Sequence, residues 1–326
     1  MWKNYEIKAL KTMQTKEQYK LKKFFDSLNN GKGLDHWSPS SSSMPLAKFN
    51  INYGHHDGVE RSMFPMQYKP RFGNLVNNTA QRMECETLYW KDKTITLTNR
   101  NYDEVFGKEL DDINKYDPVD EKDAYAREHM IEYAHKTIEQ TRKVVKELCG
   151  KNKITSERYV MNKPKQLLHD IIGRIDYETE GKNGKNGLFI ELKTKPPSII
   201  KKKGRDEYYF KTQPLSDDSI FDAYWGQVAF YWKCTGKKPF LVLVNDKEYL
   251  IYDDTHAALY DDHLEYQYNM MVRRIYNWEQ MIIYCKGDLQ KLADISEPPD
   301  LNHFYHYKYL TTKQRNIIKK QWGLDA

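Results

Sequence analysis

Apolar positions along the chain follow two periods, and the change from one to the other marks out the elements. Tyr125, Met130, Ile131, Ala134, Ile138, Val144, Val145 and Leu148 recur at a helical spacing, which predicts a helix from Glu121 to Leu148 closed by Cys149-Gly150. Leu264, Tyr268, Val272, Ile275, Trp278, Ile282 and Cys285 do the same and predict a long helix over 256–287. Shorter helices are expected over 74–90, 102–113 and 218–235. The last has Ser216-Asp217-Asp218 as its N-cap region and Phe221, Tyr224, Trp225, Val228 and Trp232 as its packing stripe. A polar helix over 15–29 and a basic one over 311–322 lie near the ends. Short apolar runs predict strands over 154–161, 167–177, 188–194, 240–244 and 248–252. Gly181-Lys182-Asn183-Gly184-Lys185-Asn186-Gly187 joins the second and third of these as a hairpin, and Asn245-Asp246-Lys247 joins the last two. Helices and strands mixed in this way indicate an α/β protein.

Gly31 to Ser43 contains Gly, Pro and five Ser, a linker composition, and residues 44–72 are irregular, with Pro45, Pro65, Pro70 and the pair His55-His56. Adjacent histidines in such a loop are ordinarily solvated. The division expected is an N-terminal segment over 1–70, a core over 71–290 and a tail over 291–326. No internal repeat is visible.

A chain of 326 residues can bury a substantial core. Its net charge of +6 suits a polyanionic partner, and the distribution is more telling than the total: Lys193 to Lys211 holds seven basic and two acidic residues. Lys195, Lys201, Lys202, Lys203 and Arg205, followed by Tyr208-Tyr209-Phe210, form a candidate nucleic-acid arm beyond the strand that ends at Thr194, cations for phosphates and rings for bases. Pro196 and Pro197 end that strand, so the arm is expected to protrude as a loop. The four cysteines, Cys85, Cys149, Cys234 and Cys285, are far apart and read as free thiols, with no spacing for a zinc ribbon. The N-terminus shows no apolar signal core, and no run of about eighteen apolar residues occurs. The expectation is an intracellular protein without membrane contact.

The chemistry gathers on the first hairpin. Asp176 ends its first strand; Glu191 and Lys193 lie two apart on the second and therefore point to one face. A carboxylate-x-Lys triplet on a strand can be a solvated ion pair. Here it interrupts a strongly apolar run, where unpaired charge is costly. Two acids and a lysine on one sheet edge suit a divalent cation and a water molecule. Gln227 and Tyr231, four residues apart, share a face of the following helix.

Gly173-Arg174-Ile175-Asp176, then Glu191-Leu192-Lys193, then Gln227-Val228-Ala229-Phe230-Tyr231 resemble in order and spacing the three motifs of the PD-(D/E)xK nuclease superfamily, in its RecB-like exonuclease branch. The resemblance covers residues 70–255, and the layout is most similar to the mitochondrial-genome-maintenance type of single-strand exonuclease and its phage relatives. It implies a restriction-endonuclease-like core, a central mixed β-sheet flanked by helices, with an N-terminal helical elaboration and a long C-terminal helix. It implies one or two Mg²⁺ or Mn²⁺ ions held by Asp176, Glu191 and the backbone carbonyl of Leu192. Lys193 is then the catalytic lysine, Gln227 holds it or touches the substrate backbone, and Tyr231 contacts a phosphate or sugar. Many members carry a histidine on a helix before the core; at the matching place, Phe72-Gly73-Asn74-Leu75-Val76-Asn77, this chain has Asn77, and His129 is a second candidate, with His169 a weaker one. A glutamate on the preceding strand, matched by Glu157, often supports the site. The clustered C-terminal cysteines of iron–sulfur members are absent, so no such cluster is expected. The activity implied is metal-dependent exonucleolytic hydrolysis of DNA, on single strands, in replication, recombination or repair. A structure-specific flap or junction endonuclease and a non-catalytic DNA-binding module stay open beside it. No protein partner is indicated.

Overall fold

The computed structural model of the protein describes residues 36–40, 42, 68–90, 93–98, 101–118, 120–181, 187–204, 207–217, 222–286, 288–302 and 312–324. The helix expected over 15–29, the His55-His56 pair, Arg205, Phe221, most of the 181–187 turn and Asp218 of the N-cap region lie outside them. The chain forms two compact units, one of residues 65–161 and 173–268, the other of 1–64, 162–172 and 269–326.

The larger unit is mixed α/β. Its seven-stranded sheet has the order β12-β11-β8-β7-β4-β2-β3, from β2 (Thr87–Trp90), β3 (Lys93–Thr96), β4 (Ile154–Ser156), β7 (Tyr177–Thr179), β8 (Leu188–Thr194), β11 (Lys238–Val244) and β12 (Tyr249–Tyr252). β8 is central: antiparallel to β7, with Tyr177 opposite Ile190, and parallel to β11, with Glu191 opposite Leu241. Strands buried on both faces read as unbroken apolar runs, and Phe240 to Val244 does so.

The pleat of β8 assigns its two faces. Ile190 and Leu192 pack with Val144, Val145 and Cys149 of α4 (Ile131–Cys149), numbered after α1 (Tyr68–Glu84), α2 (Tyr102–Asn114) and α3 (Glu121–His129). Phe189, on the other face, meets the Tyr231 ring of α5 (Asp222–Thr235) at 6.0 Å, edge-on. Helices thus cover both faces of β8. α1 packs against α2 and α4 through Phe72, Leu75 and Val76.

Several elements differ from the sequence expectation. The helix expected over 74–90 runs Tyr68–Glu84, and Thr87–Trp90 is a strand. Pro70 is tolerated because the first-turn amides of a helix have no intrahelical acceptor. The helix expected over 121–148 is interrupted at Met130, the C-cap of α3 and N-cap of α4, although Met130 N–H still reaches Ala126 O at 2.9 Å. The strand expected over 154–161 is β4 and β5 (Arg158–Asn162), separated by Glu157 at φ +58°. The strand expected over 167–177 is β6 (Asp170–Ile175) followed by β7, with Asp176 between them, and it is β7 alone that pairs with β8. The basic arm is a ribbon, not a loop: β9 (Ser198–Lys201) and β10 (Tyr208–Lys211) pair antiparallel. On α5 the fully buried run is Val228-Ala229-Phe230-Tyr231, while Tyr224, Trp225 and Trp232 of the expected stripe are half-buried. The long helix is a 3₁₀ turn at Ala257–Leu259 and then α6 (Asp261–Tyr284).

The smaller unit has its own core. β1 (His36–Trp37) runs parallel to the start of β6, and the Trp37 ring lies 5.6 Å from that of Trp278 on α6. The buried Glu279 accepts from Trp37 Nε1 at 2.9 Å and from Leu168 N at 2.8 Å. α7 (Leu289–Ile295) and α8 (Thr312–Gln321) complete it, with Trp322 Nε1 donating to Ser296 Oγ at 3.2 Å. No helix among the described residues is long and apolar enough to cross a membrane.

Candidate active site

Where β7 leaves β8 unpaired, the carboxylate of Asp176 takes the place of a partner strand. The Leu192 N–H donates to Asp176 Oδ2 at 2.9 Å. One strand residue's N–H and C=O leave by the same edge, so the Leu192 carbonyl belongs to the Asp176 side. Glu191 sits beside this point and is 1% exposed. Two carboxylates are therefore adjacent, Glu191 buried and Asp176 half-buried.

Lys193, two residues on, turns to the same face as Glu191. Its Nζ is bonded to Glu191 Oε1, donates to Gln227 Oε1 at 3.0 Å and lies 5.0 Å from the centre of the Tyr224 ring. Gln227 Nε2 donates to the Tyr231 hydroxyl at 3.0 Å, and that hydroxyl donates to the Arg174 carbonyl at 2.6 Å. A single chain of hydrogen bonds thus links the expected residues Glu191, Lys193, Gln227 and Tyr231.

α1 supplies a further wall. Its Gly73, Asn77 and Gln81 are four residues apart and lie on one face. A Cβ at Gly73 would stand 3.0 Å from Thr194 Oγ1, a tight contact that the threonine side chain would have to relieve, so α1 passes close to the end of β8. Asn77 Nδ2 donates to Asp176 Oδ1 at 3.3 Å while its Oδ1 accepts from the Tyr177 hydroxyl at 2.9 Å. Gln81 Nε2 donates to Glu157 Oε1 at 3.0 Å and to the Asp176 carbonyl at 3.2 Å. Arg174 Nη1 holds the other oxygen of Glu157 at 2.7 Å. The left-handed backbone of Glu157, a conformation costing about 1–3 kcal/mol, is retained under these bonds.

Electrostatics follow from burial and crowding. Burial, then the charge of Glu191, pushes Asp176 well above the usual carboxylate range. Burial also raises Glu191, against the opposing pull of Lys193. For Lys193 burial favours the neutral amine, but Glu191 and Asp176 outweigh it and the ammonium is held above its ordinary pKa. Glu191 Oε2 is buried with no hydrogen-bond partner. The Lys193 ammonium is shared between the two carboxylates, and this carboxylate oxygen is left without a donor.

Among the described residues, no group of three or more His, Cys, Asp and Glu is placed to hold a metal ion. The available oxygen donors are Asp176, Glu191 and the Leu192 carbonyl, all hard ligands suited to Mg²⁺ or Mn²⁺. Asn77 reaches this set through its amide nitrogen. His129 does not: it is half-exposed beside Glu128, its ring 4.3 Å from Tyr125. His169 lies in the smaller unit, with Nδ1 3.3 Å from Glu279. Thr194 ends β8 and Lys195 follows it half-buried, with its pKa lowered by burial; Lys201, Lys202 and Lys203 are exposed at the ribbon tip.

Sequence reasoning missed Gln81, Arg174 and Tyr224 as parts of the site. The four-residue step Gly73, Asn77, Gln81 was the available signal for the first; Arg174 contributes its carbonyl and its guanidinium from a position the Gly-x-x-Asp pattern leaves unspecified. Compared with known proteins, the chain matches no protein-family model, no curated protein and no solved structure.

Proposed function

We propose that the chain is a metal-dependent deoxyribonuclease with a PD-(D/E)xK core, acting as an exonuclease on single-stranded DNA. The observation that carries this reading is the convergence of two carboxylates, the half-buried Asp176 and the buried Glu191 with its orphaned oxygen, on a lysine fixed by a Gln–Tyr pair. Asp176, Glu191 and the Leu192 carbonyl would hold Mg²⁺ or Mn²⁺. Such an ion, when bound, lowers the pKa of a water and offsets the charge of the scissile phosphate.

The chain's own residues do the rest. Lys193 is held as an ammonium, so it donates to the attacking water's oxygen or to a non-bridging phosphate oxygen as charge builds there. Gln227 fixes that ammonium, and Tyr231 fixes Gln227 through the Arg174 carbonyl. Asn77 and Leu192 N–H orient the Asp176 carboxylate, and Gln81 and Arg174 keep Glu157 behind it. The overall reaction adds water across a P–O bond, leaving a phosphate on one fragment and a hydroxyl on the other.

The test is digestion of end-labelled linear and circular single-stranded DNA with Mn²⁺, Mg²⁺ or EDTA, using wild type and Asp176→Ala. Metal-dependent loss of the linear substrate alone, absent in the variant, is expected. Cut circles would replace the exonuclease with an endonuclease, and DNA bound but never cut would leave a binding module.

A further inference from the structure

The ribbon of β9 and β10 has two unlike faces. Ile199, Tyr208 and Phe210 form the inner one. Ile199 is buried with Tyr68 and Ala126, Tyr208 and Phe210 stand 5.7 Å and 5.5 Å from the Tyr125 ring, and Phe210 lies 4.8 Å from Tyr133. These contacts seat the ribbon on α3 and α4, so it is fixed in place although it is only two strands wide. The alternation of a strand then sends Tyr209, Ile200 and Lys211 outward, and Tyr209 is 44% exposed. At the tip Lys201, Lys202 and Lys203 are exposed; Lys201 Nζ lies 5.8 Å from the centre of the Tyr208 ring, and the acid described there is Glu207, 3.9 Å from Lys202.

Exposed tyrosines such as Tyr266 and Tyr284 occur elsewhere on the chain; what sets Tyr209 apart is the isoleucine paired with it across the ribbon and the fringe of lysines beside it. Ring plus cation matches a chain that is itself aromatic and anionic. The ribbon also begins four residues after Thr194, the end of the strand that carries Glu191 and Lys193, and Gln213 Nε2 ties its far end to Pro196 O at 2.9 Å. We infer that the outer face of the β9–β10 ribbon is a single-strand DNA binding site, in which Tyr209 stacks on a base and Lys211, with Lys202 and Lys203 at the tip, tracks the phosphates. This rests on the nuclease reading for its purpose but not for its measurement.

Binding is measured by fluorescence anisotropy with a labelled single-stranded oligonucleotide in EDTA, where no metal-dependent cut occurs. Tyr209→Ala should weaken binding about tenfold, and Tyr209→Trp should restore it, since a stacked base asks for an aromatic plane and nothing more specific. Lys202→Gln, Lys203→Gln and Lys211→Gln together should reduce the slope of log affinity against log salt by about two. Both variants should keep wild-type melting temperatures, because none of these side chains is buried. Single-strand affinity within twofold of wild type in both variants would overturn the site. Equal losses for duplex, or for poly-glutamate of the same length, would overturn base stacking and leave a general polyanion or acidic-protein surface. Hydrolysis is scored separately on a thymidine monophosphate aryl ester too small to reach the ribbon. Lost binding with no hydrolysis of any substrate would sink the nuclease reading and spare this one; unchanged binding with intact hydrolysis would do the reverse.

Discussion

Lys193 shows how residue identity, burial and charge combine at this site. A buried amine ordinarily loses its proton; this one keeps it because Glu191 and Asp176 lie against it. Replacing it with Met should lower the rate of metal-dependent cleavage about 10²–10³-fold, read as initial rate on linear single strands, with circular dichroism unchanged. Lys193→Arg should not rescue it, since a planar fork cannot occupy the point where a compact ammonium meets both Glu191 and Gln227. A variant cutting at near-wild-type rate would remove Lys193 from the chemistry. Glu191, Lys193, Gln227 and Tyr231 were legible because each lies on a regular element whose period assigns its face, and Asp176 because a carboxylate closes an apolar run. Glu157 as a left-handed kink and the Arg174 carbonyl as the acceptor for Tyr231 were not: both are backbone facts that side-chain pattern does not encode.

At the scale of elements, strands β8 and β11 and helices α2 and α4 follow from periodicity and caps, Asn101 accepting from Asp103 N and Glu104 N at the start of α2. What escaped was where elements break. Asp176 interrupts an apolar run that otherwise looks like one strand, and the Lys-rich stretch hides a ribbon because Ile199, Tyr208 and Phe210 alternate over only four-residue strands. The start of α1 was placed too late because Pro70 resembles a breaker when it is a first-turn residue. The register of α1 is nonetheless decisive, since it alone brings Asn77 and Gln81 to Asp176, and Gly73 sets how near the helix can come. Gly73→Ala gains about 1 kcal/mol of helix propensity but forces its methyl against Thr194 Oγ1. In a double-mutant cycle with Thr194→Ala, which removes that oxygen, the pair should be more stable than the two single changes predict, by about 0.5–3 kcal/mol in urea unfolding. Simple additivity would show that α1 does not rest on β8 through this contact.

For the whole molecule the buried acids pull stability in opposite directions with pH. Glu178 is buried, yet its bonds to Arg158 and Lys237 outweigh desolvation and lower its pKa below its ordinary 4.5. With the native pKa depressed, the native state holds fewer protons than the unfolded chain, so this stabilisation is present above about pH 4.5 and lost as pH falls through the lowered value. Asp176 and Glu191 have the reverse sign. Their native pKa values are raised, so the native state holds the extra protons, and stability present below their ordinary values of 3.8 and 4.5 is lost as pH rises through the raised ones. Metal-free protein should therefore be most stable near the ordinary carboxylate range and lose melting temperature on either side. On the proposed nuclease reading, added Mg²⁺ or Mn²⁺ would bind the folded site alone and need the carboxylates ionised, so it should restore stability on the high-pH side and leave the acid side unchanged. Asp176→Asn should flatten the high-pH loss without metal and weaken the response to it. Melting curves in EDTA and in Mn²⁺ from about pH 4 to about pH 8 decide the matter. A metal-free melting temperature that climbs through that range, indifferent to Asp176→Asn and to Mn²⁺, would mean that Asp176 and Glu191 are not poised for a cation, and the nuclease reading would lose its physical basis.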